Sequence, residues 1–371
     1  ITLRARTPEG LAFFVIEKGT EGYIPGRSEE KHGIRASQTS ALSFTDVFVP
    51  IENLIGGEPG LGLKQANQVF GFTRLMVAAM GLGAGEAALD IAIPYAKERF
   101  VSGSLLSEKQ GYTHKLIVPN AVKLEAAAAF IDETARRLDA METELQVEGS
   151  IAKYFATEAA NKAAEDSIQA LGGYGYINEF EVEKIKRDVK ITCIYEGASE
   201  VQQNIISTFR WRKNVKSKGE FYNSMAEEMS RLDESYPNAG CRTYGIAAQA
   251  LNETVMLVHH NKLTRRQHVM FALADMMTHV EVGVALARKA ATAAQVSDAA
   301  AEKLQLMSRI FANEVARLVT QNVMTILMGT GMFDQKTVAE FMANVNLDEL
   351  KDSCINIISD MDRVADILFE R

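Results

Sequence analysis

Little in this chain points to a covalent or metal-built frame. Cysteine occurs only three times in 371 residues, at Cys193, Cys241 and Cys354. The three are far apart and odd in number, which argues against a disulfide scaffold and a zinc knuckle and fits a reducing compartment. His259-His260 has no cysteine or carboxylate at ligand spacing, so these histidines near a helix end read as surface or packing residues. No Ser-His-Asp arrangement stands out. No apolar run reaches membrane-spanning length, nothing reads as a signal peptide, and there is neither an internal repeat nor a low-complexity segment. Positive charge is in short supply: 40 Lys and Arg face 48 Asp and Glu, a formal net charge of -8. An electrostatic grip on nucleic acid is therefore not expected, although a local basic patch can still hold a phosphate.

What is present is an ordinary globular balance, 47% hydrophobic and 24% charged, in a chain long enough for two or three cored domains. Residue 1 is Ile, and the pattern starts inside a sheet, so the chain reads as a fragment or a piece of a processed protein. Residues 1–60 are β-like. Leu11–Ile16 is an apolar strand after a turn at Pro8-Glu9-Gly10. Leu42–Val49 alternates with period two and stops at Pro50. The loop Gly56–Gly60 closes this region. From Leu63 the period becomes helical, with runs over 63–99, 107–145, 148–171 and 197–212. Val215–Gly219 reads as a polar linker, dividing a helical domain over 61–215 from a second one over 216–371. There, 265–293 and 299–327 are the strongest periodic segments, and Gly329-Thr330-Gly331 precedes a final helix ending near Phe369. The Met-rich runs Met270–Met277 and Met324–Met332 read as core fill. Gly81-Leu82-Gly83-Ala84-Gly85 lies inside a helical pattern with no preceding strand, so it reads as packing and not as a dinucleotide loop.

One carboxylate stands out. The run Ile194-Tyr195-Glu196-Gly197-Ala198-Ser199-Glu200 places Glu196 between an aromatic ring and a glycine, just after a basic helical stretch over Val182–Lys190. A lone Glu before Gly is ordinarily a solvated loop residue. A carboxylate held in an apolar, water-poor loop is instead a good carbon-acid base, because burial raises its pKa. Upstream, Gln169-Ala170-Leu171-Gly172-Gly173-Tyr174-Gly175-Tyr176 would by default be a helix stop and a turn.

Taken together, these two blocks resemble the catalytic loop and the flavin-binding segment of the acyl-CoA dehydrogenase family. The stretch Phe44–Gly56, with its Val49-Pro50-Ile51-Glu52-Asn53 exit, resembles that family's middle domain. The resemblance spans residues 11 to about 212. It implies a mainly α fold with a partial β domain: a truncated β-barrel, a four-helix-bundle catalytic domain, and an additional helical bundle over 216–371 like that of the very-long-chain type. It implies FAD as cofactor, a fatty acyl-CoA as substrate, and α,β-desaturation to the trans-2-enoyl-CoA, as in fatty acid β-oxidation. Glu196 would take the α-proton while the β-hydrogen leaves as hydride to flavin N5, and the backbone N–H of Glu196 would help polarise the thioester carbonyl.

Some family members carry the base in the first long helix, before an Arg. Here that place is Thr73, which leaves Glu196. Arg74, otherwise a surface arginine on an amphipathic helix, would hold the CoA side of the substrate and order the loop. Tyr195 and Gly197 would shape the thioester pocket. Arg99, Gln110, Gln169, Gly172 and Gly173 would contact FAD, in part that of a neighbouring subunit, which implies a homodimer; Ala198 and Glu200 would belong to the same cofactor site. The family spelling is not kept throughout. Ser102 stands where the aromatic after the Arg is usual, and Ala198 and Glu200 replace Thr and Gln. These changes would reshape the adenine site and leave the base untouched. An electron-transferring flavoprotein would be the acceptor; an acyl-CoA oxidase using oxygen and a non-catalytic assembly protein on this scaffold are the alternatives. The location would be cytoplasmic in a bacterium and the mitochondrial matrix in a eukaryote. The extra domain carries an implied peripheral membrane contact, for which Arg309, Arg317 and the apolar residues between them are the candidates; a buried bundle face explains those residues more simply. A fragment lacking the N-terminal part would bind FAD poorly.

Overall fold

The computed structural model describes residues 1–295 and 299–371. The chain opens with β1 (Thr2–Thr7) paired antiparallel to β2 (Gly10–Val15), Thr2 opposite Val15, around the turn expected at Pro8-Glu9. β3 (Tyr23–Ser28) pairs with β4 (Ser40–Phe44) in a separate sheet. The strand expected over Leu42–Val49 therefore stops at Phe44. Asp46 takes a left-handed φ of 49°, which turns the chain away, and Phe48 is left exposed.

A 37-residue helix, α1 (Gly62–Glu98), follows the Gly56–Gly60 loop. Beyond it, β5 (Phe100–Val101) and β6 (Ser104–Leu105) form a minimal hairpin. Its two turn residues, Ser102 and Gly103, have φ of 50° and 88°, the double positive φ that matches strand twist in a two-residue turn. The segment read as one helix from 107 is α2 (Gln110–Tyr112), a π-turn over Thr113–Ile117, and α3 (Val118–Asp139). Then come α4 (Gln146–Leu171), α5 (Val182–Lys190) and α6 (Ser199–Lys216).

The packing of α1 on α4 is set by missing side chains. A Cβ on Gly81 would lie 3.1 Å from Thr157 Cγ2, and one on Gly149 would lie 2.5 Å from the Gly71 carbonyl oxygen. On Gly85 it would meet Leu124 Cδ2 at 2.7 Å and the Ala160 Cα at 3.0 Å. The Gly81–Gly85 run is thus a packing surface, as read from its helical setting.

The expected polar linker is not loose. α6 continues to Lys216, and Ser217–Gly219 is a tight turn into α7 (Glu220–Ser235). Asn214 fixes it: its amide donates to Asn252 Oδ1 at 2.8 Å, and its Oδ1 accepts from the Tyr222 N–H. The second bundle continues through α8 (Cys241–His260), α9 (Gln267–Ala294) and α10 (Ala299–Gly329). The single final helix expected is instead α11 (Gln335–Asn344), a 3-10 segment over Leu347–Cys354, and α12 (Ile357–Phe369). Asp334 caps α11 by accepting from the Thr337 N–H, and Asn346 and Asn356 supply left-handed breaks.

One hydrophobic core runs from Leu75 in α1 to Phe369 in α12. Phe155 of α4 meets Phe311 of α10 edge to face at 5.5 Å, joining the two bundles. Met270, Met276 and Met277 are core, as expected, but Met328 and Met332 are exposed, because the helical run ends at Gly329. Arg309 grips Asp360 of α12 with two hydrogen bonds, and Ile310, Phe311, Ala312, Val315 and Ala316 are buried. A bundle face therefore accounts for the apolar residues there. The reading that no segment is long and apolar enough to span a membrane needs correction: by length and composition α1 and α9 both are. In α9 the apolar stretch is 83% buried inside this protein; in α1 the share is 39%.

Replacing Gly85 by Val should destabilise the fold by about 1–3 kcal/mol, since Leu124 and Ala160 cannot both retreat. Replacing Gly83, which faces open space, by Ala should be neutral or stabilise by up to about 1 kcal/mol. Urea unfolding of the two variants beside the parent measures both.

Candidate active site

α5 ends at Lys190, one 3-10 turn over Ile191–Cys193 follows, and the chain loops through 194–198 before Ser199 begins α6. Within that loop Glu196 and Gly197 are consecutive left-handed residues, with φ of 55° and 97°. For a residue with a Cβ this conformation costs about 1–2 kcal/mol, so the surroundings must hold it. Gln202, in the first turns of α6, donates its amide to the carbonyls of both Glu196, at 3.1 Å, and Gly197, at 2.8 Å. Lys153 of α4 donates to the same Gly197 carbonyl at 2.8 Å. Ser199 donates to Glu158 of α4 and to the Cys193 carbonyl. Glycine suits position 197, because L side chains rarely adopt a φ of 97° and a Cβ there, 2.5 Å from the Gln202 amide nitrogen, would push that amide off the loop.

The Glu196 carboxylate is half-buried and accepts a 3.0 Å hydrogen bond from the Thr73 hydroxyl of α1. The next residue, Arg74, is buried and not a surface arginine: it donates to Ser150 Oγ of α4 at 3.1 Å and lies 5.4 Å from the centre of the Phe70 ring. Burial lowers its pKa, and the Glu196 charge opposes that shift. Tyr195 has its phenol pKa raised by burial first and by the Glu196 charge second. Lys153, fully buried, is pushed down to about 8 by desolvation, against the pull of Cys193, Glu158 and Glu196 and with the push of Arg74. Arg74 Nε, Tyr195 Oη and Gln202 Oε1, on residues of this loop and the helices beside it, are buried with no hydrogen-bond partner among the described residues. Unsatisfied buried polar atoms call for a reason, and a bound polar group supplies one.

Four of the residues assigned to flavin come together elsewhere. Arg99, Gln169, Gly172 and Gly173 line a cavity of about 630 Å³ with Tyr112 and Tyr174. Gly172 ends α4 with φ of 61°, and a Cβ on either glycine would meet nothing within 4 Å. Bare backbone facing open space beside an arginine suits close approach of a phosphate, so these residues fit the pyrophosphate of a dinucleotide. Gln110 is not brought into this cavity. α12 lays Asp362 against the π-turn, where it accepts the Gln110 amide at 2.9 Å and sits 3.1 Å from His114 Nε2. Ala198 and Glu200 are not there either: Ala198 is the N-cap of α6 and Glu200 is exposed in its first turn, beside the Glu196 loop. Lys153 and Gln169 stand about 24 Å apart along α4 at 1.5 Å per residue, so the carboxylate and the cavity are separate stations on one helix.

Beneath α6 lies a charged network not singled out from the sequence. Arg210 is buried between Glu148 of α4, at 2.9 Å, and Glu281 of α9, at 2.8 Å; Tyr222 of α7 also donates to Glu281. Burial pushes the Glu148 carboxyl up, but the charge and hydrogen bond of Arg210 outweigh this and leave its pKa lowered. Lys153 and Gln202 were also missed. The signal for Lys153 was a lone lysine among Ile151, Ala152, Phe155 and Ala156 of an otherwise apolar helix face; a glutamine at 202 offers none.

The family model described as acyl-CoA dehydrogenase, C-terminal domain, matches residues 60–209 and 226–352. The chain belongs to the acyl-CoA dehydrogenase family. The matched residues thus reach into both helical bundles. An acyl-CoA dehydrogenase of Bacillus subtilis is 41% identical over 201 residues, covering 54% of this chain and 52% of its own length. Subunit CarC of a caffeyl-CoA reductase-Etf complex from Acetobacterium woodii is 37% identical over 204 residues, 55% of this chain and 53% of its own. The chain spans about half the length of these curated relatives. The solved acyl-CoA dehydrogenase of Bacillus anthracis, complexed with FAD, covers 100% of this chain and 67% of its own with a TM-score of 0.83. At 20% identity that likeness speaks to the fold alone.

Replacing Arg210 by Met should cost about 3–5 kcal/mol at pH 7, because two carboxylates stay buried without their cation. Glu148 has a lowered folded pKa, so its stabilisation is present above the ordinary carboxylate range and lost as pH falls through the folded value. The penalty of the substitution should therefore shrink on acidification towards pH 4, which urea titrations at several pH values will show.

Proposed function

We propose that the natural gene product carrying this chain is an FAD-dependent acyl-CoA dehydrogenase that converts a fatty acyl-CoA to the trans-2-enoyl-CoA. The observation that carries this reading is the Glu196 carboxylate, held in a left-handed loop against Thr73, with orphaned polar atoms of Arg74, Tyr195 and Gln202 around it. Bound FAD supplies the two-electron acceptor for the β-hydrogen.

The chain's own residues supply the rest. Glu196 takes the α-proton onto its carboxylate as the α,β double bond forms. Thr73 keeps one carboxylate oxygen engaged, leaving the other to face the substrate. Occupation by an acyl-CoA would complete the exclusion of water from a half-buried carboxylate and strengthen it as a base. Arg74, already buried with a free Nε, orients the thioester side of the substrate and steadies the loop. Tyr195 and Gly197 shape the wall around the thioester. Arg99, Gln169, Gly172 and Gly173 hold the pyrophosphate region of the dinucleotide. Their distance from Glu196 supports the view that they serve the cofactor of a second copy, in a homodimer. Electron-transferring flavoprotein is the acceptor we assign, supported by the relative named as a subunit of an Etf complex.

The test is the visible spectrum of the natural gene product under anaerobic conditions, before and after addition of saturated acyl-CoAs from four to eighteen carbons. Flavin bleaching should occur in the parent and slow by at least about 10²–10⁴-fold in Glu196→Gln. A flavin that stays oxidised with every chain length, or bleaches equally in the variant, would refute the reading.

A further inference from the structure

Lys153 is fully buried, yet its ammonium faces a neutral acceptor, the Gly197 carbonyl, and is within ion-pair reach of no carboxylate among the described residues. Taking a cation out of water without a counter-ion is costly, so a lysine at this place needs a reason. The Gly197 carbonyl also receives the Gln202 amide at 2.8 Å. Two donors, one from α4 and one from α6, therefore occupy both lone pairs of a single oxygen. That oxygen belongs to the second of the two left-handed residues. Rotating the 197–198 peptide, a change of ψ at Gly197 and φ at Ala198, would break both bonds and remove what holds the Gly197 end of the loop against α4 and α6.

We propose, resting on the assignment of Glu196 as the base, that Lys153 is a positioning residue of this site: through the Gly197 carbonyl it locks the Glu196-Gly197 pair in the left-handed geometry that presents the carboxylate. The lock is a charge-assisted one. The charged and titratable groups facing Lys153 are Arg74 from α1, Glu196 from the loop, Glu158 from α4 and Cys193 from the 3-10 turn. Burial brings the lysine to about 8. Below that pH the ammonium is charged and the loop is held; above it the neutral amine remains a weaker donor and the loop loosens.

The experiment is amide hydrogen exchange of the natural gene product across pH 6.5–9.5, read on peptides covering 194–202 and corrected for intrinsic rates, with acyl-CoA turnover recorded on the same samples. In the parent, loop protection should fall about tenfold as pH passes 8, as expected for losing one charge-assisted hydrogen bond, and kcat should fall with it while KM changes little. In Lys153→Met the loop should exchange about tenfold faster at pH 7 with no break near 8, while α4 peptides and global unfolding stay at the parent's level. Lys153→Arg, which keeps its charge, should retain protection and lose the break. Should these variants not fold, the break in the parent still decides. A parent loop whose protection stays flat across pH 6.5–9.5 overturns the proposal, as does a Lys153→Met loop matching the parent. If the loop shows the break but no acyl-CoA is turned over, the positioning role stands and the assignment of Glu196 as base fails.

Discussion

The site depends first on the close approach of α1 to α4. Three glycines, Gly81, Gly85 and Gly149, let the two helices meet closely: a Cβ would collide at Gly149 and Gly85 and be tight against Thr157 at Gly81. That approach puts Thr73 and Arg74 on one side of the 194–198 loop and Ser150, Lys153 and Glu158 on the other. The loop is then held from both helices: by Thr73 on its carboxylate, by Lys153 on its carbonyl, and by Glu158 through Ser199.

The second constraint is electrostatic. α6 begins at the end of the 194–198 loop and carries Arg210 three turns later, between Glu148 of the first bundle and Glu281 of the second. A buried ion cluster of this kind adds little net stability over an apolar core, but it tolerates no mispairing. It therefore fixes the register of α6 against α4 and α9 at once. The C-terminal bundle is in this sense a buttress of the helix that follows the 194–198 loop. Its last helix and the residue after it also reach the first bundle, through Asp362 on Gln110 and Glu370 on Lys97.

Much of this was legible in the sequence, and where it was not the reasons are physical. The helix over Val182–Lys190 and the long helix from residue 62 follow from local pattern alone, as does the loop that isolates Glu196. The cavity grouping of Arg99, Gln169, Gly172 and Gly173 was reached through motif resemblance. Lys153 and Arg210 were missed because each acts through partners distant in sequence, and single charges within helices ordinarily face water; Gln202 acts on a loop only five and six residues away, but nothing in the sequence sets that glutamine apart. The linker at 215–219 misled for a related reason: its polar residues make a fixed turn only because Asn214 finds Asn252 across the fold. Gln110 illustrates the limit of motif transfer, since a helix more than two hundred residues downstream takes up its amide.

Glu196, so held, is proposed to remove a proton from the α-carbon of a bound thioester. Proton removal is reversible and can be observed apart from net oxidation. Incubating the natural gene product with an acyl-CoA in deuterated buffer, and following the α-carbon by NMR or mass spectrometry, measures it directly. Deuterium should enter the α-position well above the solvent background with the parent and stay at background with Glu196→Gln. Equal uptake by both proteins would show that another group is the base and would contradict it.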